Sequence, residues 1–149
     1  MNADLVSTVV PAVGPSVSVA RRFVRATLIR WGCSEELVET ALLLTSELVT
    51  NAFLHAQSPS RVQVRRSRAT IRVEVLDRGS GRAELRTVGP DDSGGRGLQI
   101  VEALADRWGD HLQDEPDGHV VWFELDETSS RVSPAPKHRS SRRLRKDPT

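Results

Sequence analysis

Lysine is almost missing from this sequence. The chain has 149 residues and only two lysines, Lys137 and Lys146, both near its C-terminus. A phosphate-binding loop of the G-x-x-x-x-G-K-[ST] type and the strand-borne lysine of protein kinases both require a lysine inside the folded domain. Residues 1–126 therefore contain neither device. Any nucleotide site in that segment must bind phosphate in another way.

Cysteine and long apolar runs are scarce as well. Cys33 is the single cysteine, which excludes an internal disulfide framework, and neither it nor the four histidines show metal-ligand spacing. No stretch approaches the ~18 uninterrupted apolar residues of a membrane span. The N-terminus lacks the basic start and apolar core of a signal peptide. We expect a cytoplasmic protein that does not contact the membrane.

Charge is unevenly distributed along the chain. Residues 1–126 contain 18 acidic residues against 14 arginines, whereas residues 127–149 contain seven basic residues against two acidic ones. The second segment is rich in Ser, Pro and Arg and cannot bury enough apolar surface to offset its ordering entropy. We predict one folded domain over residues 1–126 and a disordered basic tail over residues 127–149. Such a tail either solubilises the domain or binds nucleic acid or an acidic partner.

Hydrophobic periodicity locates the elements of the first half of the domain. Weak alternation in DLVSTVVP, ended by Pro11, indicates an edge strand. Apolar residues recur at helical spacing over residues 16–31 and again from a capping Ser34 to about His55. The segments RVQVRRS and TIRVEVLD then alternate around a short turn near Arg68, which predicts a hairpin.

The second half begins with an irregular glycine-rich loop over residues 78–96. GLQIVEALADRWG follows with helical spacing that we expect to continue through Trp108, and the last segment predicts a hairpin turning at residues 116–118. The order β-α-α-β-β-loop-α-β-β predicts an α+β fold. We expect a two-layer sandwich, with a mixed, mostly antiparallel sheet, three helices on one face, and Trp31, Trp108 and Trp122 in the core.

Among the polar residues of the largely apolar run LLLTSELVTNAFLHA in the second helix, three are spaced at a regular interval. Glu47, Asn51 and His55 follow one another at intervals of four, so they form one narrow stripe on the helix. A carboxylate there can accept a proton from a hydroxyl group or water, and an amide oxygen one turn away can bind Mg²⁺. When only this helix is considered, a solvated polar edge is an equally good interpretation of the stripe.

Two glycine-rich segments follow. In VEVLDRGSG, Asp77 ends a strand and Gly79 and Gly81 follow it, which suits a ligand amine and a flat ring but also an ordinary turn. In SGGRGLQIV, the glycines at 94, 95 and 97 stand directly before a helix. Free N–H groups there favour an anion, and Arg96 adds a positive charge suited to phosphate. A glycine-rich helix entry is the alternative.

In their order along the chain, these three motifs resemble the N, G1 and G2 boxes of the histidine-kinase-like ATPase superfamily, the Bergerat fold. ELVTNAFLHA, GGRGL and ALADRWG look like the actinobacterial members of its anti-sigma-factor serine kinase branch. The resemblance covers about residues 5–126. It implies ATP and Mg²⁺ as cofactors, with residues 82–93 as the lid over the nucleotide.

The resemblance also implies a role for each motif residue. Glu47 is the expected general base, and Asn51 the expected Mg²⁺ ligand. The expected nucleotide-binding residues are Asn51, His55, Asp77 at the adenine, Gly79, Gly81, Gly94, Gly95, Arg96, Gly97 and Leu98. One departure stands out: His119 occupies GHVVWF at a place where family members often carry a lysine.

By this resemblance the protein is a serine kinase that also acts as an anti-sigma factor. It would bind a sigma factor and phosphorylate an anti-anti-sigma antagonist on serine, so that transcription is regulated by partner switching. A homodimer is compatible with the family, and no direct nucleic-acid binding by the domain is expected. The alternative is a binding module that is gated by nucleotide and sequesters a partner without phosphorylating it.

Overall fold

The structure, a computed structural model, describes residues 4–11, 15–56, 59–77, 95–114 and 117–128. Eight elements follow one another in the predicted order. They are β1 (Asp4–Val10), α1 (Ser16–Arg30), α2 (Glu35–Ala56), β2 (Ser60–Ser67), β3 (Thr70–Asp77), α3 (Gly95–Leu104), β4 (Arg107–Asp114) and β5 (Asp117–Asp126).

The turn between α1 and α2 uses two residues suited to helix ends. Gly32 adopts a φ of +75°, a left-handed conformation that glycine reaches without a Cβ clash and that stops α1. Ser34 Oγ then accepts a hydrogen bond from the Leu37 backbone N–H at 3.1 Å, which satisfies one free donor of the first turn of α2. The predicted cap at Ser34 is confirmed.

The hairpin of β2 and β3 turns through Arg68 and Ala69. Both residues have positive φ, 45° and 65°, as a two-residue hairpin turn with the twist of the flanking strands requires. This conformation is unfavourable for residues with a Cβ, so the strand register overrides the local preference. Val62, Val64, Ile71, Val73 and Val75 are all buried, as the alternation predicts.

The described strands form one sheet of five, in the order β1-β2-β3-β5-β4, and every neighbouring pair is antiparallel. β1 lies at an edge, as predicted. One face of the sheet and the three helices share a single apolar core; its largest fully buried side chains include Phe123, Leu28, Leu42, Leu44 and Leu48. The α+β sandwich with helices on one face is therefore confirmed.

The predicted extent of the third helix is wrong. α3 ends at Leu104, and Trp108 lies in β4 instead of a fourth helical turn. After α3 the backbone hydrogen bonds pass from the helix to the sheet. Ala105 N–H still donates to the Val101 carbonyl, but Asp106 N–H donates to the backbone carbonyl of Glu124 in β5 at 2.9 Å. Asp106 Oδ2 also accepts from the Asp126 N–H at 2.7 Å.

Two further expectations about this region are corrected. Trp31 and Trp108 are partly buried against the core, but Trp122 lies on the sheet face away from the helices, where the Arg72 guanidinium stacks 4.0 Å from its ring centroid. The final turn is also shorter than predicted, because β5 already begins at Asp117 and includes Gly118. Residues 115 and 116 lie outside the described residues.

The length and hydropathy of the described helices bear on membrane crossing. None of the described helices combines the length and apolar character needed to cross a bilayer. Of the predicted basic tail, only Glu127 and Thr128 are described, and Glu127 is held by Arg66 of β2. Residues 129–149 lie outside the described residues.

Candidate functional site

Glu47, Asn51 and His55 lie on one uninterrupted helix. α2 runs from Glu35 to Ala56 without a break, so the three residues follow one another on one side of it, spaced about 6 Å apart along the axis. Glu47 and Asn51 are half-buried, and the side chain of His55 is outside the described part. The predicted stripe exists as backbone geometry.

Glu47 is half-buried, and its neighbours along α2 include buried apolar residues. Leu48 is 1% exposed and Leu44 is fully buried. A cationic side chain of α1 binds other groups of α2. Arg21 donates to Ser46 Oγ at 2.9 Å and to the Leu42 carbonyl at 3.3 Å. Among the described residues no ion pair engages Glu47. A half-buried carboxylate without a cationic partner is chemically able to accept a proton.

Asn51 presents an amide oxygen that lacks a partner. Its Oδ1 is buried, and within the described part of the chain no donor reaches it. A buried acceptor left unpaired costs about 1–3 kcal/mol, and a bound cation or donor at this oxygen would recover that cost. Amide and carboxylate oxygens are ligands of Mg²⁺, and the Glu47 carboxylate lies one turn away. The residues present therefore fit the metal that the sequence motif predicts.

Asp77 is the last residue of β3 and is 9% exposed. It faces the helices, because it alternates in phase with the buried Val73 and Val75. Ser60 of β2 and His119 of β5 lie directly opposite it on the two neighbouring strands. A carboxylate at a sheet end, between two polar side chains, can accept hydrogen bonds from a ligand amine.

The chain brings α2 and Asp77 to the same end of the domain. Three residues, 57–59, separate the last residue of α2 from Ser60, so the two ends are within about 14 Å of each other. Ser60 in turn pairs with Asp77. The last turns of α2, which carry Asn51, therefore approach the sheet end at which the buried carboxylate lies.

The glycine motifs are only partly described. Gly79, Gly81, Gly94 and the predicted lid lie outside the described residues. The remaining residues, Gly95, Arg96, Gly97 and Leu98, form the first turn of α3. The helix therefore begins inside the motif instead of after it. Its first turn offers the free N–H groups on which the predicted anion site depends.

Sequence reasoning missed one residue near the predicted site. Asp110 of β4 lies with its Oδ2 3.1 Å from Nε2 of His119, and both side chains are about one-fifth exposed. The two residues belong to different strands of the last hairpin, and the sequence alone does not specify the register that brings them together. The alternation of RWGDHLQD, taken as a strand, was the signal that could have revealed it.

The described residues of the candidate site thus fall into three groups. α2 carries Glu47 and Asn51, the sheet end carries Asp77 with His119 and Asp110, and α3 carries the glycine turn. Comparison with curated proteins gives no match. The sequence model of one family, described as the histidine kinase-like ATPase domain, matches residues 10–125, which run from the end of β1 to the end of β5. The chain belongs to the histidine kinase-like ATPase domain family.

Proposed function

We propose that the protein is an ATP- and Mg²⁺-dependent serine kinase that acts as an anti-sigma factor and phosphorylates an anti-anti-sigma antagonist. Family membership supports ATP binding and phosphoryl transfer in general. The observation that carries the finer proposal is the pairing of Glu47 with Asn51 on α2. A half-buried carboxylate lies one turn before a buried amide oxygen that has no hydrogen-bond partner among the described residues.

Each residue group has a task in the proposed transfer. Asp77 accepts from the adenine amine, the first turn of α3 binds phosphate, and Asn51 holds the metal. Bound Mg²⁺ supplies positive charge that offsets the charge of the phosphates. The Glu47 carboxylate accepts the proton that the serine hydroxyl loses as its oxygen bonds to the transferred phosphoryl group, and ADP leaves. No lysine is needed in this arrangement.

A transfer assay tests the proposal. The full chain is incubated with γ-labelled ATP, Mg²⁺ and an antagonist encoded beside its gene, and label is sought on the antagonist's serine. Glu47→Gln should reduce the transfer rate ~10²–10⁴-fold while nucleotide binding changes little. Glu39→Gln is the matched control, because Glu39 lies on the same helix, is exposed, and faces Arg25 at 4.0 Å.

The possible outcomes separate the candidate functions. Label on serine that depends on Glu47 supports the kinase. Transfer at the wild-type rate by Glu47→Gln contradicts the role of Glu47. Binding of ATP with partner sequestration but without transfer identifies the alternative, a binding module gated by nucleotide. A chain that binds no ATP contradicts both.

A further inference from the structure

His119 lies beside the carboxylate to which the proposed function assigns the adenine. The register of β3 and β5 pairs Asp77 with His119, and directly opposite residues on antiparallel strands have Cβ atoms about 4.5–5.5 Å apart. His119 alternates in phase with Val121 and Phe123, which are buried against the helices. The imidazole and the Asp77 carboxylate therefore project from neighbouring strands on the same face of the sheet.

Asp110 determines which nitrogen of the imidazole carries the proton. Its Oδ2 lies 3.1 Å from Nε2 of His119. An ionised carboxylate only accepts hydrogen bonds, so Nε2 is the donor in this pair and carries the hydrogen. In the neutral ring Nδ1 is then a lone-pair acceptor. Because the side chains of His119 and Asp110 are only 21% and 17% exposed, solvent competes little with this contact.

Two acceptors at one sheet end select a particular ligand edge. The 6-amino group of adenine has two N–H donors, whereas guanine and hypoxanthine carry an oxygen acceptor at the same position. One N–H can be donated to Asp77 and the other to Nδ1 of His119. An oxygen at position 6 would instead face two acceptors and could form a hydrogen bond with neither. A site built to accept hydrogen bonds from a ligand amine rejects an analogue that lacks those donors.

We propose that His119, oriented by Asp110, is a specificity residue that selects an adenine over a 6-oxopurine beside Asp77. The proposal rests on the proposed function, because it requires a nucleotide base at Asp77. It assigns a task to the residue at which this chain departs from its family pattern. Asp110 acts through His119 and is a positioning residue.

The test compares the dissociation constants of ATP and inosine triphosphate. Inosine triphosphate has an oxygen at position 6 but lacks the 2-amino group of guanine, so the ratio of the two constants isolates recognition at position 6. His119→Leu removes the acceptor, and we expect the preference for ATP to fall about tenfold, the value of one hydrogen bond. His119→Asn can place an amide oxygen near the position of Nδ1, so it should keep most of the preference.

Asp110→Asn tests the orienting contact. An asparagine amide can donate to Nε2, which allows the hydrogen to move to Nδ1 and turns the acceptor facing the base into a donor. We expect the preference for ATP to fall in this variant although His119 is intact. A loss of affinity that is equal for the two nucleotides would instead indicate a merely structural role for Asp110.

A measurement on the wild-type chain covers the case in which a variant fails to fold. Nitrogen-15 NMR of the imidazoles should show hydrogen on Nε2 of His119, and its Nδ1 resonance should shift when ATP is added. Hydrogen on Nδ1, or an unchanged preference for ATP in His119→Leu, overturns the inference while the proposed function stands. If the wild-type chain binds neither nucleotide, the proposed function itself fails.

Discussion

Gly109 of β4 lies directly under the indole of Trp122 on β5. The two residues are opposite each other in the strand register, and a Cβ on Gly109 would lie 2.9 Å from Cζ2 and 3.2 Å from Cε2 of the ring. The same ring contacts the Arg72 guanidinium. Because glycine has no side chain, position 109 leaves room for the Trp122 indole on the sheet face away from the helices.

Gly109→Ala should destabilise the fold. The added methyl group would collide with the ring, and relieving an overpacked contact costs about 1–3 kcal/mol. Urea denaturation should show a lower midpoint with an unchanged slope. In a Trp122→Leu background the ring is gone, so the same substitution should cost much less. Equal costs in the two backgrounds would show that the indole is not the obstacle.

Trp108 and Trp122 show where the sequence was insufficient for the fold. Helical spacing continues past Leu104 as far as Trp108, and only the partner strand β5, which is remote in sequence, decides that the backbone at Asp106 joins the sheet. The strands of the β2–β3 hairpin, by contrast, alternate strongly around a short turn, so their pattern alone predicted the hairpin and its buried face.

Arg66 of β2 links Glu127, directly after β5, to the C-terminal end of α1. Its Nε and Nη2 each donate to one oxygen of Glu127 at 2.9 Å, and Nη1 donates to the Trp31 carbonyl at 3.0 Å. Arg66→Ala should lower the free energy of unfolding by about 1–2 kcal/mol, because this fork is bidentate and only partly exposed. Arg66→Lys should recover only part of it. Arg61→Lys, at an exposed residue of β2, is the control and should change little.

Stability should decrease on mild acidification because of His111. Burial lowers the pKa of this imidazole, and the nearby Arg72 lowers it further, against the opposing effect of Glu74. Below about pH 6.5 the folded chain therefore binds fewer protons than the unfolded chain. The free energy of unfolding decreases as the pH is lowered from about 6.5. His111→Gln should flatten the pH dependence of stability below about pH 6.5. An identical slope in both proteins would contradict this origin.

Cys33 should be a sluggish nucleophile. Burial raises the pKa of its thiol, and the negative charge of Glu127 raises it further, whereas Arg66 lowers it. Since only the thiolate reacts, labelling by an aromatic disulfide at pH 8 should be slower in the native chain than in urea. Glu127→Gln should speed native labelling by removing the charge. Native and unfolded rates that coincide would show that the thiol is not protected.

The candidate site was predictable in proportion to how local its motifs are. Glu47 and Asn51 are related by helical spacing alone, so the sequence was enough to predict their stripe. The contact between Asp110 and His119 crosses from one strand to another, and no spacing in the chain specifies it until the register of β4 and β5 is known. The unpaired state of Asn51 Oδ1 likewise depends on tertiary packing.

Two oxygens on α2 without a hydrogen-bond partner in the described part of the chain offer a matched comparison. Asn51 Oδ1 and Thr45 Oγ1 are both buried, and Thr45 is fully inaccessible. Replacing either residue by an apolar one of similar shape removes the cost of an unpaired polar atom. Asn51→Leu and Thr45→Val should therefore each raise the free energy of unfolding without nucleotide, by about 1 kcal/mol.

The two variants should differ in function. Only Asn51 is proposed to hold the metal, so Asn51→Leu should abolish the Mg²⁺ dependence of ATP affinity, whereas Thr45→Val should leave it intact. Titrating ATP with and without Mg²⁺, alongside urea denaturation of each variant, measures both quantities. Stabilisation with retained Mg²⁺ dependence in Asn51→Leu would remove Asn51 from the metal site. If Asn51→Leu is more stable and loses the Mg²⁺ dependence, the unpaired oxygen of Asn51 is kept at the expense of stability because Mg²⁺ binding requires it.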